Sequence, residues 1–143
     1  MGKGRLSVLG FQVYDARLWA APGFASAGYA SEPLGLELSY LRDFKALDIA
    51  ERSLKEMRRS SPISAAQATQ WLAELQRVVP DVKKGDRILG IHRPGAGADF
   101  WVNGKRAGAI DDAEFARLFF GIWLSPSTSE PQVRSQLLGM PPG

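Results

Sequence analysis

The chain has no cysteine and one histidine, His92. Without thiols there is no disulfide framework, no thiolate nucleophile and no sulfur ligand for zinc. A lone imidazole cannot build a histidine cluster around a metal, and we expect neither metal nor cofactor. Long hydrophobic runs are missing too: none reaches the roughly 18 residues that a membrane-spanning helix needs. No signal peptide is visible at Met1. A large charge of one sign is also lacking. The net charge is +3 and the isoelectric point about 9.4, too mild a basic excess to argue for a nucleic-acid partner. No G-x-S-x-G elbow, Walker loop or dinucleotide fingerprint is present. The run PGAGA at 94–98 lacks a strand-loop-helix context and reads as a turn.

What is there is ordinary in bulk and uneven in pattern. The 143 residues are 45% hydrophobic and 23% charged, as in one folded domain with a sizeable core. We expect that domain over 1–139, with 140–143 as a loose tail. The stretch Asp111 to Ser125 reads as a helix that must be buried. Phe115, Leu118, Phe119, Ile122 and Trp123 recur at the spacing of a core-facing stripe. Phe120 and Leu124 widen that stripe until little polar surface remains. Asp111 is the expected N-cap, with Glu114 as its capping-box partner. Ser125-Pro126 is the stop.

The segments before it carry strand and helix signals in blocks. Arg5 to Trp19 is rich in β-branched and aromatic residues on both parities. It reads as one long strand covered on both sides, with Gly10 as a bulge or bend. Ala21-Pro22-Gly23 ends it, and a loop runs through Pro33. Leu34 to Phe44 alternates: Leu34, Leu36, Leu38, Tyr40, Arg42 and Phe44 share one face. If the alternation holds to its end, the Arg42 guanidinium points inward and needs an anion there. If the strand stops near Leu41, Arg42 turns to solvent or pairs with Asp43.

Ala46 to Arg59 is an amphipathic helix with Leu47, Ala50, Leu54 and Met57 on its inner face. Arg52 and Glu56 form an i,i+4 pair on it. Ser64 to Val79 is a second helix, opened by a Ser64/Gln67 capping box and stopped by Pro80. Trp71 lies on its apolar stripe. Arg87 to Arg93, Asp99 to Val102 and Lys105 to Ile110 are short strands, the last two joined at Asn103-Gly104, a strong hairpin signal. A short helix, Glu130 to Leu138, ends at Gly139. His92 reads as a structural or solvent-facing histidine. Strands do not alternate strictly with helices, so the expected class is α+β, an antiparallel sheet against helices.

Several stretches, in the same order along most of the chain, resemble the chalcone isomerase superfamily and its bacterial chalcone isomerase-like branch. They are GFQVYDARLW (10–19), YLRDF followed by the helix containing RSLKEMRR (40–59), GDRIL opening the late strands, and FARLFFGIWLSPSTSEPQVRSQLLG (115–139). The resemblance implies an open-faced β-sandwich: an antiparallel sheet, helices packed on one face, and a ligand cleft between them. The plant enzymes of this superfamily cyclise chalcones with an arginine, a threonine and a helical tyrosine–asparagine pair. Here the threonine position falls on Leu9, the arginine would precede Met1 or be absent, and the helical pair falls near Ser64 and Trp71. Apolar replacements cannot polarise a phenolate.

Other branches of the superfamily bind fatty acids. That implies non-catalytic binding of a small hydrophobic or carboxylate ligand. Trp71, Phe119 and Trp123 would line the cleft, and Tyr14 and Arg42 would anchor the polar end. The alternative is an isomerase or intramolecular lyase using Arg42 and Tyr14 on another substrate. A third possibility is an interaction module with an open sheet edge. We expect a monomer or weak homo-oligomer. The chain opens directly on a strand-like stretch, and bacterial relatives usually carry an export signal; both imply a preceding segment and a periplasmic or exported location.

Overall fold

The computed structural model describes residues 2–8, 11–21, 24 and 26–139. Six strands form one antiparallel sheet whose spatial order is the chain order. They are β1 (Lys3–Val8), β2 (Phe11–Ala20), β3 (Leu34–Tyr40), β4 (Arg87–Arg93), β5 (Gly97–Val102) and β6 (Lys105–Ile110). Two helices, α1 (Ala46–Met57) and α2 (Ala65–Val78), are inserted between β3 and β4. Two more, α3 (Ala113–Leu124) and α4 (Pro131–Leu138), follow β6. The helices pack on one face of the sheet, as an α+β layer requires. Among the described residues no helix is long and apolar enough to cross a membrane.

The stretch expected as a single strand is instead a hairpin. β1 pairs with β2, Lys3 opposite Arg17 and Leu6 opposite Tyr14; Leu9 and Gly10 lie outside the described residues. Only one parity faces the core: Leu6, Tyr14, Ala16 and Leu18 are buried, whereas Trp19 is 50% exposed. The guanidinium of Arg17 stacks 4.6 Å over its ring, which shelters an indole on the open face. Leu34, Leu36, Leu38 and Tyr40 on β3 and Ile88 and His92 on β4 continue the buried face. The expected loop after β2 contains a 3-10 segment at Ser26–Ser31.

Leu18, Leu36, Gly90 and Phe100 stand side by side across four strands. Gly90 leaves a notch in that row. A Cβ there would lie 3.3 Å from the Phe120 ring, so α3 seats its aromatic face on the sheet at this point. Phe115, Leu118, Phe119, Phe120, Trp123 and Leu124 are all buried. α3 is apolar nearly all round because it touches β4 and β5, α1, α4 and the 3-10 segment.

Its start differs by one residue from the expectation. Asp112, not Asp111, is the N-cap and accepts from the Phe115 amide at 3.0 Å. Glu114 pairs with Arg117 rather than completing a capping box; Asp111 pairs with Arg93. The Ser64/Gln67 box on α2 forms in both directions. Asn103 and Gly104 take the positive φ of 50° and 83° that their turn requires. α4 ends on Gly139, left-handed at φ 66°.

Candidate functional site

Between the sheet, α1 and α3 lies a cavity of about 350 Å³, within the range of small-molecule pockets. Its floor comes from three neighbouring strands: Leu6 on β1, Tyr14 on β2, and Leu38 and Tyr40 on β3, with the half-buried Val13 next to Tyr14 at its edge. Phe119, Ile122 and Trp123 of α3 form the opposite wall. The mouth is edged by Asp48, Arg52 and Glu56, one stripe of α1 at i, i+4 and i+8, and by Ser129 and Glu130 ahead of α4. The interior is almost entirely apolar, and the polar groups gather at one side.

Two tyrosines are the polar features of the interior. Tyr14 sits directly opposite Tyr40 across β2 and β3, with ring centroids 5.8 Å apart and edge-on. The Tyr14 hydroxyl accepts the Trp123 indole N–H at 2.8 Å, tying sheet to α3. Burial pushes the Tyr14 phenol up to about 12, with the Trp123 hydrogen bond opposing. Burial raises Tyr40 as well, and neighbouring Tyr14 adds to it. Tyr40 is only 5% exposed, yet its hydroxyl has no hydrogen-bond partner among the described residues. Among the described residues no buried side-chain oxygen is sealed away unpaired, and Tyr40 lines the cavity, so this hydroxyl opens on it. Both phenols are neutral through the physiological range and retain a proton to donate.

The charged rim is partly self-paired. Arg52 Nε donates to Glu56 at 3.1 Å, and the Ser129 hydroxyl donates to the other Glu56 oxygen at 2.7 Å. Glu130 makes no such bond among the described residues. Its carboxyl is held above the usual range, first by burial and then by Glu56, with Arg52 opposing.

The residues expected to form a site divide into two groups. Tyr14, Phe119 and Trp123 meet at the cavity. Arg42 does not. β3 ends at Tyr40, and Arg42 is exposed outside the cavity. The chain turns away because the Tyr40 amide bonds to Asp86 and Phe44 bridges to Val82. Trp71 is not a wall either. It is 1% exposed, packs edge-on against Phe115, and donates its indole N–H to Asp112 at 2.9 Å. Ser64 caps α2, and His92 is buried beside Phe120, its Nδ1 3.2 Å from the Glu32 carbonyl.

Sequence reasoning missed Tyr40, Glu56 and Glu130 as site residues, and read Arg52 only as a surface ion pair. For Arg52 and Glu56 the one available signal was the 48-52-56 spacing on α1. The expected inner face of that helix also needs correcting: Ala50, Leu54 and Met57 are buried, but Leu47 is 44% exposed. The helix is rotated so that a polar stripe beside Ile49 and Ser53 overlooks the cavity.

An open antiparallel sheet, helices on one face and an apolar pocket between them define a class of α+β domain with an internal ligand-sized cavity. The chain belongs to the chalcone isomerase-like family, whose model matches residues 2–139. An uncharacterised protein of Haemophilus influenzae is 29% identical over 129 residues, which are 90% of this chain and 62% of that protein. The chain thus spans less than two thirds of that relative's length. The crystal structure of an Arabidopsis thaliana fatty-acid binding protein superposes with a TM-score of 0.70 over 96% of this chain and 84% of that one. At 11% identity that likeness establishes the shared fold, which is the open-faced β-sandwich expected from the sequence.

Proposed function

We propose that the protein binds a small amphipathic molecule without transforming it, the apolar tail lying in the cavity between Phe119, Trp123 and the β1–β3 floor. The observation that carries this reading is the cavity itself: about 350 Å³ of apolar space between the sheet, α1 and α3. Interiors are normally close-packed, and an unfilled apolar volume costs stability, so a guest of matching chemistry would offset that cost. The fatty-acid binding protein that shares the fold supports an alkyl or acyl tail. Tyr14 and Tyr40 supply hydrogen bonds inside, and Arg52 replaces Arg42 as the cation nearest the cavity. The isomerase alternative required Arg42 and Tyr14 to act together, and Arg42 lies outside the cavity. The remaining guanidinium, Arg52, is engaged by Glu56.

Displacement of a fluorescent alkyl probe, with native mass spectrometry of the freshly purified protein, tests the proposal. Wild type should bind ten-carbon chains at micromolar concentrations. Ile49→Trp, which places a large ring at the mouth from a half-buried helix position, should abolish binding while leaving the fold intact by circular dichroism. No binding by wild type, or unchanged binding by Ile49→Trp, would remove the cavity as the site.

A further inference from the structure

Resting on that binding reading, we infer that the head group this cavity takes is uncharged and both donates and accepts hydrogen bonds, a hydroxyl or an amide, rather than a free carboxylate. Three acidic side chains, Asp48, Glu56 and Glu130, edge the cavity against one guanidinium, Arg52. That guanidinium is already turned onto Glu56. An incoming carboxylate would therefore meet a rim of its own sign, and like charges near a low-dielectric pocket repel strongly.

The second observation is independent of the rim. The Tyr40 hydroxyl is buried, opens on the cavity and has no partner among the described residues. The Tyr14 oxygen accepts from Trp123, which leaves its proton free to point at a guest. The interior thus offers O–H donors while the rim offers carboxyl acceptors. Tyr14, Tyr40, Glu56 and Glu130 all line the same cavity, so one guest faces both sets. A carboxylate accepts only, and an ammonium donates only. A hydroxyl or amide satisfies both, accepting from a phenol and donating to Glu130. The Glu130 carboxyl, held above the usual range chiefly by burial, is suited to an uncharged partner.

The probes are decanoate, decanol, decanamide and decylammonium, each titrated below its aggregation threshold at pH 7.5 by calorimetry. Decanol and decanamide should bind at least tenfold more tightly than decanoate. An uncharged head enters any greasy cavity more readily, so the deciding quantity is how that ratio responds to the rim. In Asp48→Asn/Glu130→Gln, which removes two rim charges, decanoate should tighten at least fivefold, and the decanol-to-decanoate affinity ratio should fall at least fivefold with it. Tyr40→Phe should weaken decanol and decanamide about threefold or more. A ratio unchanged by the double substitution overturns the inference, as does tightest binding of decanoate or of decylammonium. Those outcomes leave the cavity as a binding site; failure of all four probes removes the site and the inference together.

Discussion

Single side chains in this protein earn their positions through one or two directional contacts. Trp71 was legible as a large aromatic on a helix stripe, but not as the donor that reaches Asp112 across 2.9 Å. That bond links α2 to the cap of α3. Trp71→Phe keeps a ring edge-on to Phe115 and loses the N–H, so urea unfolding should show a loss of about 1–2 kcal/mol. Alkyl-chain binding should be unchanged; a lost ligand with unaltered stability would return Trp71 to the site.

Tyr14 carries a pH signature with a definite sign. Its folded value of about 12 exceeds the unfolded value near 10. Its contribution is therefore complete below pH 10 and is lost as pH rises from 10 towards 12, amounting to about 3 kcal/mol. Tyr40, raised by burial, acts in the same direction. The alkaline decline in stability should be shallower in Tyr14→Phe. A decline of equal steepness would mean that the phenol ionises freely in the folded state.

At the scale of elements, periodicity and punctuation were readable wherever local chemistry decides the outcome. The Ser64/Gln67 box, the Asn103-Gly104 turn and the Gly139 stop form as expected. They fail to be readable where two local solutions are nearly equal. Asp111 and Asp112 could each cap α3, and only the sheet's exit direction puts Asp112 under the Phe115 amide. Arg5 to Trp19 carries apolar residues on both parities, so one strand and a hairpin fit it equally well until pairing is known. Gly121, in the Gly-x-x-x-Ser-Pro run, shows packing set by an element distant in sequence. A Cβ there would come 2.8 Å from the Tyr29 hydroxyl. Gly121→Ala should destabilise by about 1–3 kcal/mol. Adding Tyr29→Phe should return part of that loss in a double-mutant cycle. Strict additivity of the two changes would show that the glycine answers to something else.

For the whole molecule, the open cavity sets the behaviour. A guest that binds only the folded state stabilises it by about 2.7 kcal/mol at a hundred times its dissociation constant. Thermal melts with decanol should therefore rise by several degrees and track concentration, and the rise should vanish in Ile49→Trp. A rise retained in that variant would place the guest on the exposed face of the sheet. The rim could not be inferred beforehand because Arg52 and Glu56 at i,i+4 look the same on a solvated helix as beside a cavity.

The succession of sheet-forming and helical blocks, the apolar helix near the carboxyl end and the turns from Asn103 onward were determined by the sequence alone, because spacing of apolar residues and backbone demands of Gly, Pro and Asn act within a few residues. Where Arg42 points, how α1 is rolled about its axis and that the Tyr40 hydroxyl faces the cavity were decided only by the tertiary structure. Those outcomes depend on where one strand ends against a neighbour it meets forty residues later, and on how much space the packing of helix against sheet leaves unfilled.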